Sequence, residues 1–138
     1  MSIFRIILAC SGSKNDIESA TAADLYSGQI FLKGQSIANK FQIPYWILSA
    51  KYGIIDPHDI IDNYNQKLTK AYKGPFPPAP YYGFYVGGQS YFKNFPDTFL
   101  PLVEPGPIGK MLQRLKHLVD DDEACKKILR SHPCHAPL

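Results

Sequence analysis

No stretch of this sequence approaches the roughly 20 consecutive apolar residues that a membrane-spanning helix needs, so a membrane is not an expected partner. Cysteine is scarce. Cys10, Cys125 and Cys134 are odd in number and irregularly spaced, which excludes the disulfide framework of a small secreted domain and points to a reducing cytoplasm. Only Arg5 accompanies the short apolar run at the N-terminus before polar Cys10–Lys14, so no secretory signal is expected. Neither sign of charge dominates. A formal net charge of +3 on 138 residues permits an anionic partner without by itself arguing for nucleic acid. The familiar catalytic signatures are missing too. The Walker A spacing is absent, which disfavours ATP hydrolysis, and there is neither a Gly-x-Ser-x-Gly elbow nor an HExxH pair. Cys125, His132, Cys134 and His135 form Cys-x6-His-x-Cys-His, which matches no common structural zinc pattern, so neither metal nor cofactor is expected. Internal repeats and long low-complexity tracts are also lacking.

What is present suits one globular domain. Apolar residues make up 45% and charged residues 20%, enough to bury a core without metal or disulfides. Ile3–Ala9 reads as a strand buried on both faces, hence central and parallel. Thr21–Tyr26 reads as a single turn or short helix. Ile30, Phe31, Ile37, Ala38 and Phe41 recur at helical spacing over 27–41, with Ser27 available as the N-cap, and Gly34 weakens that helix without forbidding it. Further strands are expected at Tyr45–Leu48, Tyr81–Val86 and Thr98–Val103, with a short helix over Ser90–Phe95. The polar segment Asn65–Lys73 leads into a stiff proline-rich loop, 74–80. A helix after Pro107 presents Ile108, Met111, Leu112, Leu115, Leu118 and Val119 on one face. The acidic run Asp120–Glu123 suits the start of a last helix, Ala124–Arg130. The alternation predicts an α/β fold over 1–119, a mostly parallel sheet flanked by helices, with a C-terminal helical extension and tail over 120–138.

Three expected strands empty into unusual loops: Cys10-Ser11-Gly12-Ser13-Lys14, Ser49-Ala50-Lys51-Tyr52-Gly53 and Gly87-Gly88-Gln89-Ser90-Tyr91. Glycine lets backbone N–H groups approach a ligand, and a helix start favours an anion. Singly, each loop is more readily a plain turn. If the strands are parallel neighbours, the loops share one edge of the sheet, and their serines and lysines suit a phosphate or nucleotide. Cys10 is either a thiolate activated at a helix start or a buried strand-end cysteine. Asp56, His58 and Asp59 are candidates for proton transfer, and Asp-Pro-His-Asp is equally good turn chemistry. Tyr52 and Tyr64 either stack on a base or pack in the core.

Leu25-Tyr26-Ser27-Gly28, then Leu48–Asp59, then Tyr64, resembles the YaaA peroxide-stress family. The closer likeness is to a small YaaA-related domain, carried by Cys10, Ser11, Lys14, Ile47–Gly53, Gly87, Gly88 and Tyr91 and by a late helix at Gly109–Lys116. The proline-rich insert and the tail after Asp120 depart from it. The resemblance implies DNA binding, protection from oxidative damage and a fold likened to DNA-repair glycosylases, and it adds Tyr26 to the matched positions.

Residues and resemblance together lead to an expected enzyme of nucleotides or nucleic-acid bases, cleaving or exchanging an N-glycosidic bond. Asp56, Lys51, Ser49 and Tyr64 form its expected catalytic set. Cys10, Ser11, Gly12, Ser13, Lys14, Tyr26, Tyr52, Gly87, Gly88 and Tyr91 would bind phosphate and nucleotide. Glycosidic cleavage passes through a cationic sugar, which is why a carboxylate is sought. A non-catalytic DNA-binding protein and a nucleotide sensor are the alternatives. DNA is the expected partner.

Overall fold

A computed structural model describes residues 4–78 and 81–102 of the chain. In chain order its elements are β1 (Phe4–Ala9), β2 (Ser19–Thr21), α1 (Ala22–Leu25), α2 (Gln29–Lys40), β3 (Tyr45–Ser49), β4 (Gly53–Ile55), β5 (Ile60–Asp62), β6 (Tyr82–Val86), a 3₁₀ turn over Gln89–Tyr91 and β7 (Phe99–Leu102). They form a small α/β domain with a mixed five-stranded sheet in the order β4-β3-β1-β6-β7. β1 pairs in parallel with both β3 and β6, and β7 continues in parallel beyond β6. β4 folds back antiparallel on β3, while β2 and β5 make a separate antiparallel pair.

The nearly continuous apolar run of β1, interrupted only by Arg5, follows from burial on both of its faces. Phe4, Ile6 and Leu8 join the cluster of Phe31, Ala38, Ile47 and Phe84 on the side covered by α2. Ile7 points the other way, into Leu48, Tyr85, Phe92, Phe95 and Phe99. That second layer is aromatic. Phe92 stacks on Tyr85 at 5.0 Å and on Phe95 at 4.7 Å between ring centroids. Tyr72 and Phe76, from the irregular segment before β6, close over it. Fully burying a side chain of this size stabilises by about 1.5–3 kcal/mol. Among the described residues, this face is therefore covered by irregular aromatic segments rather than by a second helix.

Several expectations are corrected. The helix starts at Gln29 behind Gly28, not behind Ser27: the first intrahelical bond runs from the Leu32 N–H to the Gly28 carbonyl at 3.0 Å, while the Ser27 N–H meets the Ser13 carbonyl. Ile30, expected on the apolar face, is 46% exposed. The helix expected over Ser90–Phe95 contracts to the 3₁₀ turn. β2, β4 and β5 are three-residue strands, too short for alternation to reveal. The helices expected over Ile108–Val119 and Ala124–Arg130, the Cys125/His132/Cys134/His135 group, the boundary at 119 and Ala79–Pro80 lie outside the described residues. Among the described residues no helix is long and apolar enough to cross a membrane.

Two glycines set how closely the elements approach. Gly34 lies against Leu8, where an added Cβ would sit 2.5 Å from a leucine methyl. That is why a helix-weakening residue stands mid-helix. Gly83 is paired with Arg5 in the β1–β6 ladder, and a Cβ there would fall 1.7 Å from the Arg5 carbonyl oxygen. A leucine methyl can move, but the backbone of a central strand cannot. We expect Gly83→Ala to destabilise by more than about 3 kcal/mol in urea unfolding. Gly34→Ala should cost about 0–2 kcal/mol, because overpacking is partly offset by better helix propensity. Equal losses would contradict this account.

Candidate functional site

Because β1, β3 and β6 are parallel neighbours, the three glycine- and serine-bearing loops leave from the same edge of the sheet. The loop after β1 is tied to β3 by the Cys10 N–H donating to the Leu48 carbonyl at 2.9 Å. It is also stapled to the approach of α2. Lys14 bridges to Tyr26, and the Gly28 N–H donates to Ser11 Oγ at 3.0 Å. Ser11 in turn donates to the Ser13 carbonyl at 2.5 Å. Gly28 has no room for a side chain, since a Cβ would meet that of Ser11 at 2.4 Å. These contacts set the start of α2 beside the end of β1, with no side-chain cap and no acidic residue in its first turn.

Two larger hollows open along this edge. One, of about 700 Å³, is lined by Ala9–Ser13, Gly28–Phe31, Lys67, Gly87, Gly88 and Tyr91. The other, of about 670 Å³, is lined by Ser49–Ile54 and 66–75, with Lys51, Lys67, Lys70 and Lys73 in its wall. Between them passes the segment Gln66–Leu68, held by Gln66 Nε2 donating to the Ala50 carbonyl at 2.8 Å. A smaller gap of about 160 Å³ is bounded by Gln66–Leu68 together with Cys10, Ser11, Gly12 and Tyr91.

Behind this edge three hydroxyls close a ring. Tyr26 donates to Ser49 Oγ at 3.1 Å. Its single proton being used, the 2.6 Å contact with Tyr64 requires Tyr64 to donate to Tyr26. Ser49 must then donate to Tyr64 at 3.0 Å. Ser49 Oγ also receives the backbone N–H groups of Lys51 at 3.3 Å and Tyr52 at 3.1 Å. Ser49 and Tyr26 are buried, 2% and 1% exposed, and Tyr64 is half-buried. Ser49 thus has neither a proton nor an acceptor position left for a substrate; it fixes the turn between β3 and β4. Burial pushes the phenols of Tyr26 and Tyr64 above the ordinary tyrosine value. Burial also raises the Cys10 thiol, against the Ala50 amide, the Tyr64 hydroxyl and the Lys14 charge, which pull it down. Cys10 is a neutral thiol at neutral pH. Lys14 sits over the Tyr64 ring at 4.5 Å and Lys51 over the Tyr52 ring at 5.2 Å.

The expected residues therefore divide. Cys10, Ser11, Gly12, Ser13, Gly87, Gly88 and Tyr91 line one hollow together; Ser49, Lys51 and Tyr52 line the other. Tyr26 and Tyr64 belong to the hydroxyl ring, with Lys14 above it. Asp56 is not with them. β4 carries the chain back along β3, pairing Ile55 with Ile47, and leaves Asp56 in a hollow with Trp46, Asp59 and Pro75–Pro78. There its carboxylate accepts the His58 N–H at 2.8 Å, while Asp59 accepts the Asp56 N–H at 3.0 Å, which is turn chemistry. Among the described residues no group of three or more His, Cys, Asp or Glu could hold a metal. Lys67, Lys70, Lys73 and the start of α2 were not among the expected site residues. The polar run Asn65–Lys73 carried the lysines in view, but nothing local says that it crosses the sheet edge.

Residues 6–74, half of the chain, match a family of unknown function (DUF6884), and the chain belongs to that family. No curated protein and no solved structure matches it.

The hydroxyl ring sets a pH dependence. The unfolded chain releases its cysteine and tyrosine protons near the ordinary values of 9.0 and 10.0, while the folded chain holds them to higher pH. Its stabilisation is therefore complete below about pH 9 and is lost as pH rises toward the raised folded values. Tyr64→Phe should cost roughly 1–3 kcal/mol at neutral pH, since it leaves the Ser49 proton without its acceptor. The same variant should flatten the alkaline loss, measured by urea melts between neutral pH and pH 11. A Tyr64→Phe profile as steep as that of the wild type would contradict the ring's role.

Proposed function

We propose that the protein binds a phosphate-bearing nucleotide, free or as the end of a nucleic-acid strand, in the hollow between the ends of β1 and β6. One observation carries this reading. The chain leaves β1 toward α2 on one face of the sheet, and leaves β6 toward Phe92 and Phe95 on the other. Where neighbouring parallel strands send their connections to opposite faces, a crevice opens between the two loops, and ligands of open α/β sheets bind there. The hollow of about 700 Å³ lies at that point, within the range for small-molecule sites.

Its wall suits an anion. The first-turn N–H groups of a helix have no intrahelical acceptor, and the helix dipole favours negative charge beside them. Here that turn is uncapped by any side chain. Gly12, Gly87 and Gly88 allow close approach of backbone, Lys67 supplies a cation, and no Asp or Glu is in the lining. Tyr91, in the same wall, offers a ring against which a base can stack. The likeness to YaaA proteins favours the strand end over the free nucleotide. N-glycosidic cleavage asks for a carboxylate beside the sugar. With Asp56 in a separate hollow, binding is the reading that the geometry supports better than base release.

The test compares a nucleoside with its 5′-monophosphate in thermal unfolding. Only the phosphorylated form should raise the melting temperature; ligand at about 100 times its Kd adds roughly 2.7 kcal/mol. Gly12 has no atom within 4 Å of a built Cβ, so Gly12→Asp should fold and place a like charge in the hollow. We expect it to weaken 5′-monophosphate binding at least roughly tenfold, with Gly12→Ser much nearer wild type. Equal shifts from nucleoside and nucleotide, or undiminished binding by Gly12→Asp, would refute the reading.

A further inference from the structure

We infer that a second anion subsite lies across the Gln66–Leu68 segment from the first, and that the ligand carries two phosphate groups set apart rather than one. The inference rests on the nucleotide reading above and extends it to the neighbouring hollow. That hollow, of about 670 Å³, has Lys51, Lys67, Lys70 and Lys73 in its lining and no acidic residue. Four lysines lining one concavity with no carboxylate among them give it an excess of positive charge, which favours an anion. Gln66 and Thr69 add polar side chains to the same wall, and Tyr52, 36% exposed, gives it a flat aromatic surface.

The two hollows are not independent. Lys67 lines both, and it also lines the gap of about 160 Å³ beside Gln66–Leu68. The gap shares Cys10, Ser11, Gly12 and Tyr91 with the helix-start hollow, and Gln66 and Leu68 with the lysine hollow. A ligand seated by one phosphate at the start of α2 therefore has a lined path toward the lysines, with Lys67 between its two charged groups. The segment that makes the crossing is fixed at both ends. Gln66 is held to Ala50, and the Tyr72 N–H donates to the Tyr91 carbonyl at 3.0 Å. The chemistry this fits is a phosphate–sugar–phosphate unit, as in a 5′-phosphorylated dinucleotide. A mononucleotide would fill one subsite and leave the lysines unused.

Titration calorimetry at low salt, with thymidine 5′-monophosphate and 5′-phosphorylated thymidine dinucleotide as probes, tests this on the full chain. The readout is the ratio of the two dissociation constants. In the wild type the dinucleotide should bind roughly tenfold more tightly, with a steeper salt dependence from its added phosphate. In the Lys70→Ala/Lys73→Ala variant, which changes two exposed side chains, the ratio should fall toward one. Monophosphate binding with no dinucleotide advantage would overturn the second subsite while leaving the first intact. An advantage that survives in the variant would overturn the assignment to these lysines. Failure of both probes to bind would overturn the nucleotide reading, and this inference with it.

Discussion

The parallel pairing of β1 with both of its neighbours is the constraint on which the rest depends. A strand buried on two faces is apolar along most of its length, as Phe4, Ile6, Ile7 and Leu8 are, with Arg5 near its start laid over Trp46 and Tyr81. It can offer chemistry only where it ends. The register that sets Leu8 against Ile47 on one side and Val86 on the other brings three chain exits to one level. Every polar feature of the candidate site is an exit from this sheet, a residue stapled to an exit, or a segment laid across one. The close approach of Gly83 to Arg5 and of Gly34 to Leu8 serves the same end, because any widening of the sheet or lifting of α2 would separate the loops.

The hydroxyl ring of Tyr26, Ser49 and Tyr64 is the second tie. It joins the residue that ends α1, the last residue of β3 and the chain after β5 by three hydrogen bonds. Its members hold one another's protons in a buried setting, where an unpaired hydroxyl costs about 1–3 kcal/mol. The ring fixes relative positions and leaves little for a substrate. Two residues that looked catalytic by type, Ser49 and Tyr64, thus hold the edge together, while the exposed lysines Lys51 and Lys67 line the hollows beside them.

Much of this was legible beforehand. The central strand, its two parallel neighbours, the 12-residue helix and the three loops are signalled by unbroken apolar runs, 3.6-residue spacing and Gly/Ser clusters, all of them local patterns. What escaped was non-local. β4 is three residues long, and its antiparallel return is what removes Asp56 from the edge; nothing in Gly53–Ile55 announces that direction. The helix cap is Gly28 rather than Ser27, and the turn before it is set by contacts remote in sequence: Ser11 takes the Gly28 N–H and Ser13 the Ser27 N–H. The lysines of 67–73 read as an ordinary solvated stretch until the segment is seen to cross the sheet edge, a placement fixed by Ala50 and Tyr91, remote in sequence.

The placement of charge follows from the same topology. The helix-start and lysine hollows at the strand ends hold Lys67 in common and carry no carboxylate in their linings. Asp56 and Asp59 line the hollow beside Trp46 and the prolines. With a net charge of only +3, the chain gains a positively polarised edge by sorting its charges rather than by accumulating cations. β4 does the sorting, since its return along β3 carries the acidic turn away just after Lys51 has been delivered to the edge. A reaction that needs a carboxylate is served poorly by that arrangement. An anion is served better, because no carboxylate lines either hollow to oppose the helix dipole and the lysines.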